Sequence, residues 1–356
     1  MSWVRLPGAR QPALGSGGAL GGADLGEVRQ MSWVLERLEL PPGSWVLDPF
    51  AGVGTTARAC LDRGCVPFGV EIEVDRVAEL QRNAPGQPGL IHGDAAHLVW
   101  ADGTFDAVMT NWPYPGFRRA PSDHRSLYGR SWAAYCAGLQ GVIAEMVRVA
   151  RPGAPIAVCV QNERGPDGVR PVVHEIAHSL AQRAQLQAED CLLYDDGSHE
   201  WVLHATAPGP DARGWRSVTD ALAGRVAVVG STAMSVLAPA ILDGRPPDLD
   251  LVCATEGVPA CLGILQAQGY ALTSWGEPIT AAVSMDRLAG RFYVRAVREL
   301  APRVVDLTYE AAIPLQRAVR AADPGTRIAA AADVQALMRA RGAARDQERL
   351  RDWGAL

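Results

Sequence analysis

From Trp45 onward the chain alternates between two hydrophobic periods. Short apolar runs with strand character, SWVLDPF, PFGVEI, GLIHGD, FDAVMTN, APIAVCVQ and WVLHAT, are separated by stretches with apolar residues at helical spacing. Such alternation predicts βαβ units and a parallel sheet wound on both faces by helices. Residues 1–30, with the Gly- and Ala-rich run LGSGGALGGADLG, have no period and are expected to be a flexible lead-in.

The rhythm breaks at TAPGPDARGW, residues 206–215, which holds two prolines and two glycines. A second unit follows, opening with GRVAVVGSTAMSVL and closing in the helical tail ADVQALMRARGAARDQERLRDWGAL. The expected organisation is therefore a lead-in at 1–30, a first domain at 31–207, a linker at 208–218 and a second domain at 219–356. No internal repeat relates the halves.

A length of 356 residues allows two domains, and 48% hydrophobic with 21% charged residues is a globular composition. No apolar run nears the roughly 18 residues of a membrane span, and no charged segment followed by an apolar one opens the chain, so a cytoplasmic protein without membrane contact is expected. The net charge of −5 exerts no overall pull on nucleic acid, so binding there would need a local patch. All 34 basic residues are arginine, which removes lysine from the possible catalytic groups. Seven cysteines without a C-x-x-C pair read as reduced thiols.

The run VLDPFAGVGTT, residues 46–56, is a strand entering a glycine turn and then a helix. Gly52 and Gly54 let the backbone approach a ligand closely, and the helix N-terminus offers N–H groups. Three more signals close successive strands, at the edge where open α/β sheets bind ligands. Glu71 ends FGVE, where a carboxylate can take both hydroxyls of a ribose. Asp94 ends LIHGD, placed to accept from an adenine amino group. Asn111, Trp112, Pro113 and Tyr114 end the fourth strand.

In this order the motifs resemble those of the class I S-adenosylmethionine-dependent methyltransferases. More narrowly they are similar to the amino-methylating DNA enzymes, with a glycine motif DPFxGxGTT and a catalytic (D/N/S)-P-P-Y. The likeness spans residues 40–207 and includes EMVRVARPGAPIAV, similar to the helix and Pro-Gly turn before that family's fifth strand. It implies a Rossmann-like α/β sheet with helices on both faces. It also implies S-adenosylmethionine as cofactor, held by Asp48, Phe50, Gly52, Gly54, Thr55, Glu71 and Asp94, with Asn111, Trp112, Pro113 and Tyr114 catalytic. An exocyclic amine is a poor nucleophile because its lone pair spreads into the ring. Hydrogen bonds accepted from it by the Asn111 side-chain oxygen and the Trp112 main-chain carbonyl would localise that pair, with Tyr114 stacking on an extruded base. Trp112 stands where the family usually has its first Pro; a main-chain carbonyl survives that change, a fixed φ does not.

The target stays open between adenine N6 or cytosine N4 in DNA, guanine N2 in RNA and protein glutamine, with DNA favoured by the glycine motif. The following loop carries Arg118, Arg119, Arg125 and Arg130 interleaved with Phe117 and Tyr128, a pattern that fits either a phosphate-backbone and base contact or a solvated loop. HEIAH, from His174 to His178, matches the zinc-helix spacing H-E-x-x-H, but no third ligand stands at a matching distance, and a helix with two partly exposed histidines is expected.

In the second half a strand runs into Gly230 and Ser231, a later strand carries Asp248 and Asp250, and RVVDLTYE offers Asp306. Carboxylates at i and i+2 of a strand share a face, and a third from a neighbour could complete a Mg²⁺ cage. This half resembles the nucleotidyltransferase superfamily, with its G-(G/S), D-x-D and third Asp. ALMRARGAARD is similar to the ALKRxxGRxKD helix of its toxin- and antitoxin-associated members, with Met338 at the usual Lys. The resemblance implies a smaller α/β domain taking Mg²⁺ and a nucleoside triphosphate, with Gly230 and Ser231 on the nucleotide. The expected protein is a nucleobase amino-methyltransferase joined to a nucleotidyltransferase-like module. Rival readings are a nucleotidyltransferase whose other half only binds substrate, and a pair of binding modules.

Overall fold

A computed structural model describes residues 2–6, 28–116, 123–165, 168–209, 214–311 and 313–355. The chain divides into two units, Met1–Leu98 with Phe105–Pro210, and Val99–Thr104 with Asp211–Leu356. The short excursion Val99–Thr104 falls in the second unit because Thr104 is bonded there. Its hydroxyl accepts from the buried Trp215 indole at 3.0 Å and its carbonyl accepts from Arg216 at 3.1 Å. The stretch expected as a linker, 208–218, contains the start of a helix at Trp215, because that indole is an apolar anchor inside an otherwise Gly- and Pro-rich run.

The first unit runs β1 (Ser2–Leu6), α1 (Val28–Leu38), β2 (Trp45–Asp48), α2 (Thr55–Asp62), β3 (Val66–Glu71), α3 (Val74–Asn83), β4 (Leu90–His92) and β5 (Ala107–Asn111). It continues with α4 (Trp132–Val149), β6 (Pro155–Val160), the hairpin β7 (Glu163–Gly165) and β8 (Gly168–Arg170), α5 (Val172–Ala181), β9 (Gln185–Tyr194) and β10 (His199–Thr206). The sheet order is β1-β9-β10-β6-β5-β2-β3-β4. β2 to β6 are mutually parallel, and β10 is antiparallel to both β6 and β9. The order reverses at β2, which has β3 on one side and β5 on the other. A crevice opens at such a reversal, outside the carboxyl ends of the strands.

The central strands are apolar except at their carboxyl ends, as burial on both faces requires. Leu47, Met109 and Ala157 are fully buried, and Met31, Val34, Ala59 and Val202 close the core on one face. The lead-in expectation fails at Ser2–Leu6, which pairs in parallel with β9. Alternating exposure along SWVRL suits a sheet edge, and the Ser2 hydroxyl donates to Asp190, which also takes Arg37 at 3.3 Å. A five-residue alternation is too short to be read as a strand without its partner.

The second unit runs α6 (Trp215–Leu222), β11 (Val226–Val228), α7 (Gly230–Leu237), β12 (Leu249–Cys253), α8 (Val258–Ala267), β13 (Ala271–Ser274), β14 (Glu277–Ile279) and α9 (Met285–Leu288). Then follow β15 (Tyr293–Val297), β16 (Val304–Thr308), α10 (Leu315–Ala321), α11 (Ala331–Arg341) and α12 (Ala344–Ala355). Its sheet order is β11-β12-β16-β15-β13-β14, with β12 and β16 parallel. Among the described residues no helix is long and apolar enough to cross a membrane.

The tight centre of the first sheet gives a direct test. Met109→Ala, at a position with no solvent exposure, should lower unfolding stability by about 2–5 kcal/mol. Denaturant unfolding monitored on the first unit would read this as a lower midpoint with an unchanged slope.

Candidate functional site

The sheet reversal brings the carboxyl ends of β2 to β5 to one edge, and the expected cofactor residues gather there. Asp48 ends β2 and is 4% exposed. Its carboxylate accepts from the Phe50 N–H at 2.9 Å, the Thr56 hydroxyl at 2.5 Å and the Thr110 hydroxyl at 2.6 Å. Burial pushes this carboxyl up to about 6 despite those three donors. The glycine turn leaves it directly, with Gly52 and Gly54 at φ +54° and +96°, a conformation that favours glycine. A Cβ on Gly54 would also lie 3.0 Å from Leu80.

Glu71 ends β3 and holds the turn from the other side. One carboxylate oxygen accepts from the Gly52 N–H at 2.9 Å and the other from the Glu73 N–H at 2.8 Å. Its burial raises its pKa, and the buried Arg76 beside it acts in the opposite sense. Each oxygen retains acceptor capacity, which fits the two hydroxyls of a ribose. Asp94, just beyond β4, accepts from the Ala96 N–H at 2.9 Å. Glu71 and Asp94 line one cavity of about 290 Å³ together with Phe50, Leu127 and Tyr128. These acceptors and apolar walls fit the adenosine portion of S-adenosylmethionine.

Asn111, Trp112, Pro113 and Tyr114 leave the end of β5 and line one cleft with Asp48, Phe50 and Gly52. The side-chain nitrogen of Asn111 is buried without a hydrogen-bond partner, so this amide has bonding capacity unused by the protein. Tyr114 is fixed by the Gln161 N–H, which donates to its hydroxyl at 2.9 Å. Trp112 is 1% exposed and packs edge-on to Phe50, with centroids 5.0 Å apart. Its indole N–H donates to the Tyr135 hydroxyl at 2.8 Å, and that hydroxyl donates to the Pro113 carbonyl at 2.8 Å. Burial holds the Tyr135 phenol far above its usual range, so it stays a donor. The stiffness that a proline would give the turn is supplied instead by a buried indole–phenol–carbonyl relay. Tyr135 lies on α4, in WAAY, and nothing in its local sequence marks it.

Arg125 and Arg130, expected to face a phosphate backbone, lie on the wall of the cavity that Glu71 and Asp94 line. Arg125 is taken by Asp123 at 2.7 Å, and Arg130 donates to the carbonyls of Ser126 and Arg125 at 2.7 and 2.5 Å. Both hold their own loop together. Phe117, Arg118 and Arg119 lie outside the described residues. His174 and His178 are exposed on α5, and the His178 ring lies 2.9 Å from the Gln182 amide.

In the second unit, Asp248, Asp250 and Asp306 present carboxylate oxygens within 4.8 Å of one another, the one group of three potential metal ligands found among the described residues. Asp250 and Asp306 are paired across β12 and β16. Gly230 has φ +60°, and a Cβ there would meet an Asp250 oxygen at 1.9 Å, so any side chain would collide with the cluster. Desolvation, then the neighbouring Asp248, pushes Asp250 up to about 7. Hard oxygens crowded in this way fit Mg²⁺. Asp306 is also clamped by the Arg295 guanidinium at 2.9 and 2.7 Å, a cross-strand pair whose register the sequence does not reveal. The cluster opens on a cleft of about 1230 Å³ whose lining includes Ser231, Met338, Arg341 and Arg345.

The strand order of the first unit, with the antiparallel β10 inserted between β6 and β9, is that of the class I S-adenosylmethionine-dependent methyltransferase fold. No family model matches the chain. It is similar to the demethylmenaquinone methyltransferase of Beutenbergia cavernae, 34% identical over 124 residues, covering 35% of this chain and 43% of that protein. It is also similar to the demethylmenaquinone methyltransferase of Corynebacterium kroppenstedtii, 25% identical and covering 51% of this chain and 72% of that one. The chain thus spans less than half the length of the first of these relatives. Among solved structures, TrmN from Thermus thermophilus aligns at 17% identity with a TM-score of 0.40, over 53% of this chain and 51% of that one.

Two substitutions probe these sites. Tyr135→Phe strands the buried Trp112 N–H and the Pro113 carbonyl, and should lower stability by about 1–3 kcal/mol in denaturant titration. Asp250 keeps a proton in the folded protein between its ordinary value near 4 and about 7, so its contribution to stability is full at low pH and is lost as pH rises through about 7. Metal-free Asp250→Asn should therefore melt higher than the wild type at pH 8, with the difference vanishing toward pH 4.

Proposed function

We propose that the first unit transfers a methyl group from S-adenosylmethionine to the exocyclic amino group of a nucleobase, in DNA as adenine N6 or cytosine N4. The observation that carries this reading is the Asn-x-Pro-Tyr turn at the end of β5, lining one cleft with the glycine loop. S-adenosylmethionine supplies a sulfonium methyl, which bonds to the amine nitrogen lone pair as the carbon–sulfur bond breaks and its electrons stay on sulfur. Asn111 and the Trp112 carbonyl orient the amine and localise its lone pair, and the amine proton passes to solvent after transfer. Tyr114, held at its hydroxyl, offers a ring face to a flat base.

The named relatives act on demethylmenaquinone, and methylation of a quinol ring carbon is the second reading. Such a reaction needs a group to take a proton. Among the described residues lining the cleft, the carboxylate is Asp48, already bonded to three donors that hold the loop. An amine acceptor makes no such demand, which favours the first reading.

For the second unit we propose nucleotidyl transfer. An acceptor hydroxyl oxygen bonds to the α-phosphorus of a nucleoside triphosphate, pyrophosphate leaves with the bonding pair, and the hydroxyl proton goes to solvent. The three clustered carboxylates in a large cleft support it. Asp248 and Asp250 would hold Mg²⁺, which would offset phosphate charge.

Labelled methyl transfer to duplex DNA, single-stranded DNA, bulk tRNA and demethylmenaquinol in parallel tests the main reading. Label in DNA as N6-methyladenine or N4-methylcytosine is expected, falling on the order of 100-fold in Asn111→Ala. Label on the quinol alone, or base methylation indifferent to Asn111→Ala, would overturn it.

A further inference from the structure

Two aromatic rings in the second unit stand exposed on backbone that disfavours them. β13 and β14 pair Ser274 with Glu277, so their hairpin closes on Trp275 and Gly276, both at positive φ of +49° and +79°. A two-residue turn of this kind prefers Asn-Gly. Trp275 is 60% exposed, so burial does not offset the unfavourable conformation. Phe292, at φ +63°, is the centre of a γ-turn in which the Tyr293 N–H donates to the Arg291 carbonyl at 2.7 Å. That turn is rare and strained, and Phe292 is 54% exposed.

The same Arg291 carbonyl accepts from the Trp275 indole at 2.9 Å, which fixes the two turns to each other. The rings lie 6.5 Å apart at 32°. The Arg291 guanidinium sits 5.8 Å from the Trp275 ring and is held by the Ser274 carbonyl and Glu277. Strain kept in place by several independent bonds is the mark of a ligand clamp rather than of a loose loop. Phe292 lines the cleft that also holds the carboxylate cluster, Arg341 and Arg345. A flat apolar face beside clustered carboxylates and cations complements one kind of ligand, a planar base joined to a polyphosphate.

We infer that Trp275 and Phe292 form a stacking platform for the base of a nucleoside triphosphate whose phosphates enter the cleft at Asp248 and Asp250. The inference rests on the nucleotide reading of that cleft and adds to it the residues that grip the base. Stacking on a ring face accepts any base, so the platform selects for a nucleotide over inorganic polyphosphate rather than among bases.

Calorimetric titration of the full chain with Mg²⁺ tests this, using non-hydrolysable analogues of the four ribonucleoside triphosphates and, separately, inorganic tripolyphosphate. The variants are Phe292→Gly and Trp275→Asn, residues suited to positive φ. Each should weaken the nucleotide analogues about tenfold, leave tripolyphosphate binding unchanged, and melt no lower than the wild type. Unchanged nucleotide affinity in both variants, with tripolyphosphate still bound, would discard the platform and keep the phosphate cleft. Equal weakening of both ligands would assign the rings a structural role and overturn the inference. Failure of both ligands to bind the wild type would overturn the platform together with the nucleotide reading.

Discussion

The buried carboxylate of Asp48 organises the first unit. Its three donors come from the glycine turn, from the first turn of α2 and from β5, the strand that delivers Asn111. A carboxylate with almost no solvent is costly to keep, as its raised pKa records, and it persists because each donor also anchors an element. Glu71 repeats the device one strand further on, with both oxygens on backbone N–H groups. The glycine turn is therefore gripped from both sides by the protein's own groups, which is the kind of preorganisation that the proposed methyl transfer would use.

The second unit handles its acidic groups differently. Its three carboxylates lie against one another, and of the three Asp306 carries a bidentate arginine. Of the remaining two, Asp250 depends on Gly230 for room and stays partly protonated near neutrality. Mutual repulsion left unresolved by the protein is a standing attraction for a cation, and the strained aromatic turns beside the cleft give the same region an apolar counterpart.

Trp112 illustrates how a departure from a motif is absorbed. A side chain larger than proline is carried into the core, where its indole N–H and the Tyr135 phenol brace the Pro113 carbonyl. The turn keeps its stiffness by hydrogen bonding where a ring would have fixed φ.

Strand-and-helix alternation, and carboxylates or an Asn-x-Pro-Tyr run at the ends of successive apolar runs, are local features. The parallel sheet and the meeting of Asp48, Gly52, Glu71, Asp94 and Asn111 are accordingly legible in the order of residues along the chain. So is the closeness of Asp248 to Asp250, two residues apart in sequence, although Asp248 lies just ahead of β12 rather than on it. Several features are not legible there: β1 at the sheet edge, the Tyr135 relay, the Arg295 clamp and the Trp275–Phe292 pair. Each depends on which distant group comes within about 3 Å for a hydrogen bond, or within ring-contact range. Strand register and helix packing decide that, so the sequence by itself determined which chemical groups reach the crevice, and only the tertiary structure decided what holds them there.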